Sequence, residues 1–133
     1  MKHLVIIGTV WPEPNSTAAG SRMLQLISLF QNNEYEITFL CSAAKSDFSF
    51  DLNQISVKTK SIQLNDSSFD TLIQELNPEV VLFDRFMMEE QYGWRVMENC
   101  PNALRVLDTE DLHFLRKARE MAFKQNRELV FED

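Results

Sequence analysis

Glycine and proline are scarce in this chain, three and four in 133 residues. That is too few for a collagen-like, linker-rich or turn-dense all-β protein. Basic residues are also in short supply. Thirteen Lys and Arg against twenty Asp and Glu leave a formal charge of −7, so the basic footprint of generic nucleic-acid binding is missing. Long apolar runs are absent. The opening run Leu4-Val5-Ile6-Ile7 stops at Gly8, short of the roughly 7–15 apolar residues of a secretory signal. No stretch approaches the ~18 residues of a membrane-spanning helix. The two cysteines, Cys41 and Cys100, show no C-x-x-C or Cys/His metal spacing, so two buried free thiols in a cytoplasmic protein are expected.

What is there is an average globular composition, 44% hydrophobic and 25% charged. It suits one domain of about 100–150 residues with a real core. Short apolar runs alternate with segments of helical period. Strands are expected at 3–8, 36–41, 56–64, 79–84 and 104–107. Residues 3–8 and 79–84 are continuously apolar inside, as in strands buried on both faces. Helices are expected at 21–31, where Met23, Leu26, Ile27 and Phe30 share a face, and from Phe69 to Leu76. Ser67 and Asp70 resemble a capping box, and Asn77-Pro78 ends that helix. A further helix is expected at 87–99. A long one runs from Thr109 to about Arg127, with Asp108 as its cap and basic residues toward its far end. The segment 9–20 reads as a loop and 42–53 as a polar loop. The C-terminus at Asp133 carries no helix stop signal. Strand–helix alternation of this kind predicts a parallel α/β sheet, whose ligands sit beyond the carboxyl ends of its strands.

Three constellations fall at such ends. The loop after the first strand carries Gly8 and Gly20 twelve residues apart, so it is neither G-x-G-x-x-G nor a P-loop. It leads past Asn15 to a helix start near Gly20-Ser21, which offers N–H groups to an anion or a hydroxyl-rich ligand. The plainer alternative is a surface loop whose Trp11 packs on the domain. The second constellation is Asp84-Arg85-Phe86, either a ligand contact or a helix cap beside a solvated arginine. The third is Asp108-Thr109-Glu110-Asp111-Leu112-His113-Phe114-Leu115-Arg116. Its carboxylates suit sugar hydroxyls and His113 suits proton transfer near neutral pH; capping plus surface charge is the alternative. Metal ligation is the weaker reading, because each carboxylate has a capping role available. No G-x-S-x-G is present. Whether Asp84 and Asp108 approach one another is open at this level.

Taken together, Leu4–Gly8 with the Pro12-x-Pro14…Ala19-Gly20-Ser21-Arg22 loop, Pro78 to Asp84, and above all Leu107 to Arg116 resemble the N-terminal Rossmann-like domain of GT-B glycosyltransferases of the group 1 (family 4) class. The resemblance implies an acceptor-side domain facing a second, donor-side domain across a cleft. Its partners would be a nucleotide-sugar donor and a saccharide or lipid-linked acceptor, with no cofactor or metal. It implies Asp108, Asp111 and His113 as catalytic-site residues and Asn15, Gly20, Ser21, Arg85 and Glu110 as substrate contacts, with Arg85 suited to an acidic acceptor group. Two departures stand out. Asp108 occupies the place where many members carry a histidine, and Ala19-Gly20 replaces a Gly-Gly pair.

The resemblance also implies a domain cut short, inactive alone, because the family's donor domain has no counterpart here. Peripheral membrane contact through Arg116, Lys117 and Arg119 competes with a solvated helix face. Two other readings stay open: a stand-alone flavodoxin-like or receiver-like binding domain, and a module that dimerises through an unpaired sheet edge.

Overall fold

The structure, a computed structural model, describes residues 1–109 and Glu120. The expected helix from Thr109 to about Arg127, with Glu110, Asp111, His113 and the basic residues along it, lies outside the described residues apart from Thr109 and Glu120.

Five strands form one parallel sheet: β1 Lys2–Gly8, β2 Tyr35–Cys41, β3 Lys58–Ser61, β4 Val80–Asp84 and β5 Leu104–Asp108, in the order β3-β2-β1-β4-β5. Three helices connect them: α1 Ala18–Gln31, α2 Ser68–Leu76 and α3 Phe86–Asn99. The order is that of the first five strands of the classic Rossmann order 3-2-1-4-5-6 and differs from the flavodoxin-like order 2-1-3-4-5.

The sheet is sandwiched. In central β1, Leu4, Val5, Ile6 and Ile7 are all without solvent exposure, which explains their unbroken apolar run. On one face Leu4, Ile6, Ile37, Phe39, Val80 and Leu82 meet Met23, Leu26, Ile27 and Phe30 of α1. On the other, Val5, Ile7, Val81 and Phe83 meet Phe69 and Ile73 of α2 and Met88, Tyr92 and Val96 of α3. This is the three-layer α/β/α arrangement expected from the sequence. His3 lies at the amino end of the sheet, away from any ligand-binding edge, with Nε2 2.8 Å from Thr38 Oγ1 and Nδ1 3.0 Å from the Leu76 carbonyl.

Several local expectations are corrected. Helix α1 starts at Ala18 rather than Ser21, because Thr17 caps it by accepting from Gly20 N at 2.9 Å. Gly20 is therefore inside the first turn rather than a breaker. The third strand shrinks to Lys58–Ser61, since it pairs only with Thr38 to Cys41 at the sheet edge. A 3-10 turn, Leu52–Ile55, forms across the end of the expected polar loop and buries Leu52. The capping box at α2 does not form. Ser67 makes no side-chain cap bond; instead Asp66 Oδ1 accepts from Ser68 N at 2.8 Å, and the Ser68 donors hold its carboxyl below the usual carboxylate range. Asp70 turns to Arg95 Nη1 at 2.8 Å and Asn99 Nδ2 at 3.1 Å. Helix α3 begins at Phe86, and its N-cap position is Arg85, not Asp84. Strand β5 runs one residue further than expected and takes in Asp108.

Candidate functional site

In a doubly wound sheet the crevice opens where the chain leaves neighbouring strands toward opposite faces. Here that point lies between β1 and β4. The chain leaves β1 for α1 on one face, and leaves β4 for α3 on the other. A cavity of about 360 Å³ opens at the carboxyl ends of these two strands. Val10, Trp11, Pro12 and Glu13 line it from the loop after β1. Thr17, Ala19, Gly20 and Met23 line it from the start of α1, and Asp84 and Arg85 from the end of β4.

The indole of Trp11 forms a fixed wall. It is 3% exposed, donates Nε1–H to the Ala43 carbonyl at 2.7 Å and packs on Phe39 with centroids 5.6 Å apart. Lys45 Nζ covers its ring at 4.6 Å. Phe39 in turn lies where a side chain on Gly8 would have to stand. Trp11 thus packs on the domain, and it also lines the cavity.

Asp84 is clamped by a residue that no sequence motif singles out. Thr9 donates its N–H to Asp84 Oδ2 at 3.2 Å and its hydroxyl to the Asp84 carbonyl at 2.8 Å. Arg85 Nε stands 3.9 Å from Asp84 Oδ1. Asp84 and Asp108 are register partners on adjacent parallel strands, so the approach left open above is real. Strand alternation puts both on the α1 face, in line with Gly8 and Cys41. Arg22 of α1 binds Asp108 through both guanidinium arms, Nη1 to Oδ2 at 2.8 Å and Nη2 to Oδ1 at 2.7 Å.

The expected site residues therefore separate. Gly20 and Arg85 line the cavity. Asn15 is exposed in the preceding turn and does not line it. Ser21 is exposed and borders a shallower groove on the outer side of α1 with Pro14 and Leu24. Asp108 has no exposed surface and does not line the cavity. Glu110, Asp111 and His113 lie outside the described residues. Thr9, Glu13 and Arg22 are additions made by contacts across the fold. Thr9 and Arg22 meet their partners 75 and 86 residues away, so no local signal marks them.

Glycine here serves internal packing. A Cβ on Gly20 would come within 2.6–2.8 Å of the Glu13 backbone, because the loop folds back on α1. Ser16 N and Thr17 N both donate to the Glu13 carbonyl, at 3.0 and 2.9 Å. Gly8 is covered by Phe39, and Gly20 reaches the cavity with its N–H already given to Thr17 Oγ1.

Among the described residues, no group of three or more His, Cys, Asp or Glu is arranged to hold a metal ion, and no helix is long and apolar enough to cross a membrane. Burial, the larger cause, and the nearby Asp84 carboxylate push the Cys41 thiol up, against backbone N–H bonds from Ala43 and Ser42. Comparison with known protein families finds no family model that matches the chain, and comparison with curated proteins finds no match.

Proposed function

We propose that this domain is the acceptor-side domain of a cytoplasmic GT-B glycosyltransferase and binds a saccharide or lipid-linked saccharide in the β1/β4 cavity. A nucleotide-sugar donor would be presented by a facing domain. The observation that carries this reading is the closed β1–α1 loop. A diphosphate bound at such a loop needs glycines whose backbone amides face the ligand. Here Gly20 N is taken by Thr17 and its Cα face by Glu13, while Gly8 is covered by Phe39. What the cavity offers instead is side chains: the Asp84 carboxylate, the Arg85 guanidinium, and an apolar wall of Trp11 and Met23. That mixture suits a polyol. Carboxylates accept from hydroxyls, a guanidinium donates to them, and C–H faces lie on the apolar wall.

Val10, Phe86 and Met87, beside the cavity, are 51%, 64% and 59% exposed, which suits an acceptor with an apolar tail. In the full reaction this domain would bind and orient the acceptor hydroxyl. Asp84, pinned by Thr9, is the residue best held to accept that hydroxyl's proton in a hydrogen bond.

The test is ligand-observed NMR with methyl and octyl glycosides and with a nucleoside diphosphate. Saturation transfer to the glycosides, stronger for the octyl series and lost in Asp84→Asn, is the expected result. Binding of the nucleoside diphosphate in place of any glycoside would overturn the reading.

A further inference from the structure

Arg85 has a backbone conformation that side chains avoid. Its φ is 76° and its ψ is 160°, a region populated essentially by glycine. Among the described residues, four other non-glycine residues have positive φ: Glu34, Ser56, Asn65 and Asn77. The two that close helical segments, Ser56 and Asn77, have ψ of 28° and 59°, the left-handed helical region that such ends commonly use. Arg85 belongs to no such turn. It stands between a buried strand and a helix, and it lines the cavity. A conformation of this kind persists only where the surroundings over-determine it.

The surroundings do so here. Arg85 N donates to the Asp108 carbonyl at 2.9 Å, carrying the β4–β5 connection past the strand end. Its own carbonyl accepts from Met88 N at 3.2 Å in the first turn of α3. The residue before it, Asp84, is held twice by Thr9. Asp108 is held twice by Arg22. The carboxylate of Asp108 is sealed from solvent and does not line the cavity, so its influence there runs through the backbone that the pair anchors.

We infer that Arg22 and Asp108 are positioning residues for the β1/β4 cavity: their bidentate pair fixes the end of β5, the Asp108 carbonyl then holds Arg85 in a glycine-like twist, and that twist brings the Arg85 guanidinium to the cavity as its ligand-contacting cation. The inference goes beyond the saccharide reading. It needs the cavity to be the ligand site, but not the ligand to be a sugar.

Two measurements test it without any ligand. The first compares thermal midpoints of Arg85→Gly and Arg85→Ala. Both lose the side chain and only glycine adopts φ 76° freely, so the glycine variant should melt several degrees higher. Equal midpoints would show that Arg85 is not held in that region. The second follows modification of Arg85 by phenylglyoxal, mapped by peptide mass, with exposed Arg105 as the internal control.

In Asp108→Asn the rate at Arg85 should change several-fold and the Arg85 amide resonance should move, while the rate at Arg105 stays within error. An Asp108→Asn protein that folds with Arg85 unchanged on both readouts would reduce the pair to a structural tie and overturn the inference. Should Asp108→Asn fail to fold, Arg22→Gln, at a partly exposed position, carries the same comparison. Failure of glycosides to bind leaves both readouts where they are, so the two readings fail separately.

Discussion

Asp84 and Asp108 stand side by side at the carboxyl ends of β4 and β5, yet one is held by Thr9 of the β1–α1 loop and the other by Arg22 of α1. Two carboxylates on neighbouring strands repel when buried. The fold relieves this by giving Asp108 a guanidinium and Asp84 a backbone N–H, and in doing so ties three segments of chain together around the cavity.

That tie has a measurable weight. Arg22→Met would take the bidentate guanidinium from the buried Asp108 carboxylate, and removing one member of a buried pair costs about 3–5 kcal/mol. Arg22→Met should therefore lower the urea midpoint strongly. The double variant Arg22→Met/Asp108→Leu should recover much of the loss, because no charge is then stranded. A double variant as unstable as the single one would show that packing around Arg22, not charge, sets the cost.

The three glycines should respond to alanine in three different ways. Gly8→Ala pushes a methyl into the Phe39 ring, which is itself fully buried against Trp11; a loss of about 1–3 kcal/mol is expected from overpacking. Gly20→Ala meets backbone rather than a ring, within 2.6–2.8 Å of Glu13. It should displace the β1–α1 loop and shift the Trp11 indole resonance as well as lowering stability. Gly93 lies within α3, and the nearest neighbours of its added methyl would be Glu89 side-chain atoms at 3.5–3.6 Å, ordinary van der Waals contact. Gly93→Ala should stabilise by roughly 0.5–1 kcal/mol through helix propensity. Chemical denaturation of the three variants reads all of this.

Tyr35 makes alkaline pH destabilising. Burial, reinforced by the Glu79 carboxylate, pushes its phenol from 10.0 up to about 12. The folded state then keeps a proton that the unfolded state releases. Stability from this group is complete below pH 10 and is lost as pH rises toward 12, on the order of 2 kcal/mol in all. The Tyr35 hydroxyl has no hydrogen-bond partner among the described residues. Tyr35→Phe should thus keep or slightly raise stability at pH 7 and flatten the decline between pH 10 and 12. Urea denaturation across that range checks both expectations.

Both thiols should be silent in the folded protein. Burial raises Cys41 and Cys100, and Cys100 Sγ also donates to the Ile73 carbonyl at 3.4 Å. A thiol-specific chromogenic reagent should find neither at pH 8 in buffer and both in denaturant. Rapid labelling of the folded protein would contradict the burial of these side chains.

Much of the architecture can be read along the chain because it is written in local patterns. Continuous apolar runs mark strands covered on both faces, as in Leu4 to Ile7 and Val80 to Phe83. The 3.6-residue spacing of Met23, Leu26, Ile27 and Phe30 marks one helix face. Those patterns suffice for a parallel three-layer domain and for the rule that ligands lie past Gly8 and Asp84. They do not reach Asp66 displacing Ser67 as the cap of α2, since neighbouring polar side chains compete for the same N–H and geometry alone chooses between them.

Contacts across the chain decided the rest. That Thr9 clamps Asp84, that Arg22 seals Asp108 away from the cavity, and that Arg85 takes a backbone shape proper to glycine follow from the sheet order bringing distant segments to one end. Short-range periodicity determined the layers of this protein. The electrostatic partners at its carboxyl edge were decided only on folding, because a charge takes whichever opposite group the tertiary structure sets within hydrogen-bonding reach.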